Sequence, residues 1–141
     1  MSEPATPDSP RRWVWVVGPG CYLDDDGGED PKLRPGTAGL RWACHRDTRA
    51  GDLAVLYRSR LAKDLAYLFR ATSDPVLEDG TWNCEAEVLE RLPRPVGLAE
   101  LRADPVTASW PALRASFVRT AFPVPADVWA RLTVMAGSEH A

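Results

Sequence analysis

The chain has 141 residues and a net charge of −3, the size of one domain, and at that length about two-thirds of the unfolded surface can be buried without disulfide or metal staples. No apolar run approaches the ~20 residues of a membrane span, and the acidic balance excludes binding to polyanions through bulk charge alone. Three cysteines without paired spacing, Cys21, Cys44 and Cys84, fit a reducing compartment better than a disulfide framework. The opening stretch MSEPATPDSPRR has no apolar core, so residues 1–11 are expected to be a disordered tail and the location cytoplasmic. One domain is expected over residues 12–137, with a second tail at 138–141.

Taken in chain order, RWVWVV (Arg12–Val17) reads as a strand buried on both faces. Gly18 to Leu40 is rich in Gly, Pro and Asp and reads as a long irregular loop, of a length often tied to function. Its acidic residues, Asp24, Asp25, Asp26, Glu29 and Asp30, suggest calcium. Counted from Asp24, however, the loop places Glu29 and Pro35 where an EF-hand needs glycine and a carboxylate. They are read as solvated. A Gly51–Asp52 turn opens a strand alternating Leu53, Val55 and Tyr57 against Ala54, Leu56 and Arg58. KDLAYLFRATS repeats the pattern, with Leu65, Tyr67 and Phe69 opposite Ala66, Leu68 and Arg70. The short link RSRLAK makes the two a hairpin. After the turn EDGT, the run WNCEAEVLERL reads as a strand with one wet face, ended by Pro93 and Pro95.

Short helices are expected in GLAELRAD and TASWPALRASF. A final helix is expected in PADVWARLTVMAG, with Pro125 near its start, Gly137 as its stop, and Val128, Leu132 and Met135 at helical spacing. These elements make a small antiparallel sheet with scattered short helices, an α+β domain or an open barrel.

Charge is unevenly placed. Lys32 to Lys63 holds eight basic residues against two acidic ones. Trp42 lies in that window, near Arg41, Arg46, Arg49 and Arg58. A tryptophan in such a setting can fill a core, or it can stack on a base while the arginines hold phosphates. Catalysis is not expected. The two histidines are His45 and the penultimate His140, and no nucleophile motif, phosphate loop or metal motif is present. Cys44, His45 and Cys84 make a poor zinc set, and Glu85 and Glu87 suit a solvated strand face.

The order of segments resembles the EVE domain, a branch of the PUA-like superfamily related to the YTH readers of methylated adenine. The resemblance rests on WVWVV, then RWACHR, then GDLAVLYRS, DLAYLFRATSDP, WNCEAEVLERLPRPVGLAELRA and SFVRTAFPVPADVWARL. It implies an α+β fold, a PUA-like open β-barrel or curved, mostly antiparallel sheet with peripheral short helices, and a pocket for one flipped base: 5-methylcytosine, 5-hydroxymethylcytosine or N6-methyladenine, in DNA or RNA. By that resemblance Trp42 packs on the base and the Ala43 backbone meets its edge. Tyr57 and Ser59 line the pocket, the segment from Gly18 faces the base, and Tyr22 offers a second stacking face. Cys44 and Gly18–Tyr22 are candidate walls for a methyl group. Arg46, Arg49, Arg58 and Arg60 are the expected phosphate contacts. No cofactor is implied; a separate nuclease or restriction component is a possible partner, and no membrane is. Two alternatives stand beside this one: an RNA-binding PUA-like or ASCH-like module with no modified-base requirement, and a sensor of small molecules or nucleotides.

Overall fold

In the computed structural model, which describes residues 11–138, seven strands share one sheet. They are β1 (Arg12–Val17), β2 (Leu40–Ala43), β3 (Leu53–Arg58), β4 (Asp64–Ala71), β5 (Val76–Glu78), β6 (Thr81–Gly97) and β7 (Ala121–Pro123). Their order is β2-β6-β4-β3-β1-β7, with β5 also paired to β6. β1 runs parallel to β3, and every other pair is antiparallel. The sheet curls into a half-barrel carrying a few short helices. These are α1 (Pro19–Tyr22), α2 (Leu98–Ala103), α3 (Pro111–Arg114) and α4 (Ala126–Ala136).

Alternation along the strands gives the sheet two cores. Val55 and Tyr57 of β3 join Val14, Trp110, Leu113, Trp129 and Leu132 on the face covered by α3 and α4. Ala54 and Leu56 turn the other way, to Trp13, Trp15, Phe69 and Val88, under the segment that carries Tyr22 and Leu33. β4 departs from the expected alternation. Leu65 packs with Leu68 on the helix side, while Ala66, Tyr67 and Phe69 share the opposite core. The cause is a bulge against β3: Tyr57 pairs with Leu65 and Leu56 with Tyr67, so β4 carries one extra residue, Ala66, and the side chains on either side of it fall on opposite faces.

Pro93 and Pro95 do not end β6, which continues to Gly97. Both fall between Arg91 and Val96, a stretch of β6 without a register partner on β4, so their missing N–H groups cost no ladder bond. The loop from Gly18 is interrupted by α1 and by a 3₁₀ turn at Pro31–Leu33. The first tail expected from composition lies outside the described residues except for Arg11, whose N–H donates to Asp52 Oδ1 at 2.9 Å. The second lies outside them except for Ser138, whose hydroxyl donates to Glu90 at 2.7 Å.

Candidate functional site

The expected site residues fall in three places. Tyr57 is on the helix-covered face, its ring centroid 4.3 Å from that of Phe117, and burial raises its hydroxyl pKa. It therefore cannot share a pocket with Trp42, which belongs to the other core.

Trp42, Ala43, Cys44, Arg46 and Arg49 lie toward the end of the sheet where β3 begins. Trp42 sits opposite Cys84 in the β2–β6 ladder and is 7 % exposed. It meets Phe69 edge-on at 5.0 Å, and the Lys32 ammonium stands 5.9 Å from its ring. The ring is a core side chain with no free face for stacking. Ala43 is held in the ladder opposite Asn83. The Cys44 thiol is buried beside Cys84, and that contact lowers the Cys44 pKa and raises the Cys84 pKa. Asp52 organises the following loop. It accepts from the Arg11 and Arg49 N–H groups and from Trp13 Nε1, each at 2.9 Å. Arg49 turns its guanidinium back to the carbonyls of Thr48 (2.7 Å) and Arg46 (3.3 Å), while the Arg46 side chain is exposed beside Asp47.

Gly18, Tyr22, Arg58, Ser59 and Arg60 lie at the far end of six-residue β3, about 17 Å away at about 3.3 Å per residue. The four arginines are thus split between two ends and do not form one basic face. Ser59 closes this end: its N–H and hydroxyl both donate to the Val17 carbonyl, at 2.9 and 2.7 Å, and its own carbonyl accepts from Tyr22 at 2.6 Å. Tyr22 is buried, so it is a strut here and not an open stacking face. Gly18 is extended (φ −89°, ψ 171°), and a Cβ added there would meet nothing within 4 Å. Arg60 is exposed at a left-handed φ of 70°. Arg58 is buried and grips Asp64 through two hydrogen bonds, so it is not available to a phosphate.

A cleft of about 290 Å³ opens on the face of β4 and β6, lined by Glu29, Asp30, Pro31, Leu33, Arg34, Pro35, Tyr67 and Arg91. Tyr67 and Arg91 are register partners in the β4–β6 ladder, and the loop carrying Glu29 lies over them. The Tyr67 hydroxyl and Arg91 Nε (2.7 Å) both donate to Glu29 Oε1, and the Arg91 guanidinium stands 5.1 Å from the Tyr67 ring. The Tyr67 hydroxyl, then Arg91 and Arg58, hold the Glu29 carboxyl below its ordinary pKa against the opposing effect of burial. Burial and Glu29 push the Tyr67 hydroxyl up to about 12. The cleft therefore presents an ionised carboxylate, a neutral phenol and fixed cations together.

Sequence reading missed this group. In the sequence Glu29 stands among solvated loop acids, Tyr67 belongs to a strand pattern, and Arg91 belongs to no motif. Glu29 and Arg91 are 62 residues apart, outside any motif spacing. The available signal was the length of the loop, which must cross one sheet face and bring its acids over it. Among the described residues no group of three or more His, Cys, Asp or Glu side chains is placed to hold a metal.

The half-barrel, its covering loop and its peripheral helices define the PUA-like class of fold. The structure is similar to Rpa0253 from Rhodopseudomonas palustris, with TM-score 0.74 and 22% identity over 90% of this chain and 93% of that one. It is also similar to human THYN1 in complex with 5-methylcytosine-containing DNA, with TM-score 0.66 and 15% identity over 92% of this chain and 99% of that one. Likeness to an ASCH protein from Zymomonas mobilis is weaker, with TM-score 0.58 and 12% identity over 89% and 96% of the two chains. No family model matches the sequence, and no curated protein does.

Proposed function

We propose that this chain is a non-enzymatic nucleic-acid-binding module that holds one flipped-out modified base, 5-methylcytosine, 5-hydroxymethylcytosine or N6-methyladenine, in the cleft beneath the 29–35 segment. The observation that carries the reading is the cleft itself, which pairs a volume of about 290 Å³ with converging polar groups on Glu29, Tyr67 and Arg91. Flipping a base costs a few kcal/mol, which edge hydrogen bonds and stacking must offset. Planar guanidinium groups stack on bases, and Arg34 and Arg91 stand in the lining. The fold's likeness to a human protein in complex with 5-methylcytosine-containing DNA supports the same reading. Trp42, buried against Phe69, is a support of the barrel in this reading. Any cutting of the bound strand would fall to a separate nuclease.

The test is a binding screen against DNA and RNA oligonucleotides identical except for one base, plain or modified. A methyl group adds about 1 kcal/mol of burial, so a preference of roughly fivefold for one modified base is expected. Arg34→Ala should weaken every oligonucleotide. Absence of binding to all of them, or turnover of the modified strand by the purified protein, would overturn the reading.

A second reading is a module that binds without requiring a modification. It is favoured by the cleft lining, half of which is charged (Glu29, Asp30, Arg34 and Arg91) and so a poor wall for a methyl group. Equal affinity for plain and modified strands would select it.

A further inference from the structure

Glu29 and Arg91 each leave one hydrogen-bonding atom unspent. Glu29 Oε1 takes the Tyr67 hydroxyl and Arg91 Nε, and Arg58 Nη1 stands 4.0 Å from it. Oε2 has no partner among the described residues. Arg91 uses Nε on Glu29 and Nη1 on the Ala66 carbonyl (3.4 Å), while Nη2, on the same fork as Nε, has none among the described residues. Both side chains line the cleft. The open pair is thus one anionic acceptor next to one cationic donor, both fixed by the bonds that their sister atoms make.

A flipped base presents its Watson–Crick edge to such a pair. Cytosine offers the N4 amino donor beside the N3 acceptor, and adenine offers the N6 amino donor beside the N1 acceptor. Thymine, uracil and guanine present the reverse, a carbonyl acceptor beside a ring N–H donor. Entering in the orientation that places the amino group of cytosine on Glu29 Oε2, their atoms would meet Oε2 and Arg91 Nη2 acceptor to acceptor and donor to donor, so the pair discriminates when the cleft walls hold the base that way round. We infer that, within the base-binding reading above, Glu29 and Arg91 select the amino-bearing edge of a cytosine- or adenine-type base and reject a base with a carbonyl at that position.

The pair that isolates this edge is 5-methylcytosine against thymine. They share the methyl group and differ only in the amino or oxo group and the adjacent ring proton. Each is placed at the same position of an oligonucleotide, opposite an abasic site so that flipping costs are alike, in DNA and in RNA strands. The wild-type chain should bind the 5-methylcytosine strand at least about tenfold more tightly, the scale of one bidentate base contact. Glu29→Gln, which can donate to a carbonyl, should bring that ratio to near one or invert it, with an unchanged near-UV circular dichroism spectrum. Equal binding of the two strands by the wild-type chain, or a preference that survives Glu29→Gln, would overturn the inference while leaving the base-binding reading in place. Failure to bind either strand, or any other oligonucleotide in the screen, would overturn both.

Discussion

The Arg58 guanidinium and the Asp64 carboxylate face each other across the β3–β4 hairpin in a two-pronged contact, Nε to Oδ1 at 2.7 Å and Nη2 to Oδ2 at 2.8 Å. Both side chains are largely shielded from water, and the guanidinium also stands 5.7 Å from the Tyr22 ring and 5.9 Å from the Tyr67 ring. Arg58→Ala would leave a shielded carboxylate without its partner. It should cost about 2–4 kcal/mol, near the range for a broken buried pair. Urea unfolding of Arg58→Ala, Asp64→Asn and the double variant checks this, with the double variant expected to be less damaging than the sum of the single ones. A phosphate-binding arginine would instead leave the unfolding midpoint in place.

Trp42→Ala should act on stability in the same direction and further. The ring is 7 % exposed and packs edge-on against Phe69, so its removal empties part of the barrel core. The expected cost is about 3–5 kcal/mol. In a combined unfolding and oligonucleotide titration, binding should fall only in proportion to the folded fraction. Loss of binding in a fully folded variant would restore Trp42 to the site.

The contact between Glu29 and Tyr67 predicts two pH limits. Glu29 titrates below its ordinary 4.5 in the fold, first because of the Tyr67 hydroxyl and then because of Arg91 and Arg58. Its contribution is therefore full above that value and is lost as pH falls through the depressed one. Tyr67 moves the opposite way, from 10 to about 12, through burial and then Glu29. Its contribution is full below pH 10 and is lost as pH rises through about 12. Tyrosinate absorbance should show a late titration near 12 that moves earlier in Glu29→Gln, and carbon NMR of the Glu29 carboxyl should report the acid limit.

The three thiols should separate cleanly. Cys21 is exposed on α1, whereas Cys44 and Cys84 are 8 % and 3 % exposed. A thiol reagent at neutral pH should therefore modify one cysteine quickly in the native protein and all three in denaturant, with peptide mapping placing the fast one at Cys21. Rapid modification of Cys44 would show that the loop after β2 opens.

Much of the sheet was legible because alternation is a local property. Leu53 to Arg58 obeys the two-residue period on both cores, and α4 ends at Gly137, whose φ of 69° is the left-handed stop that glycine supplies. β5 and β7 have three residues each, too few for a period to show. Alternation in β4 breaks between Leu65 and Tyr67 because Ala66 is an extra residue relative to β3, a pairing that the pattern of one strand cannot report. The candidate site was the least legible part. Trp42, set among arginines in sequence, turns inward because β2 pairs with β6, and Glu29 gains its role only once its loop is laid over β4 and β6.

The position of β1 has a consequence for how the chain acquires this structure. Trp13 pairs with Ala54 of β3 on one side and with Pro123 of β7 on the other, so the first strand is flanked by partners from the middle and the end of the described sequence. Contacts of such long sequence separation form late, because loop closure must be met before they contribute. During synthesis β3, β4 and β6 can assemble as an antiparallel meander, but one edge of β1 has no strand to meet until β7 has left the ribosome. Truncation before Ala121 should therefore leave a collapsed, aggregation-prone intermediate with that edge exposed, and refolding of the whole domain should be slow for its size.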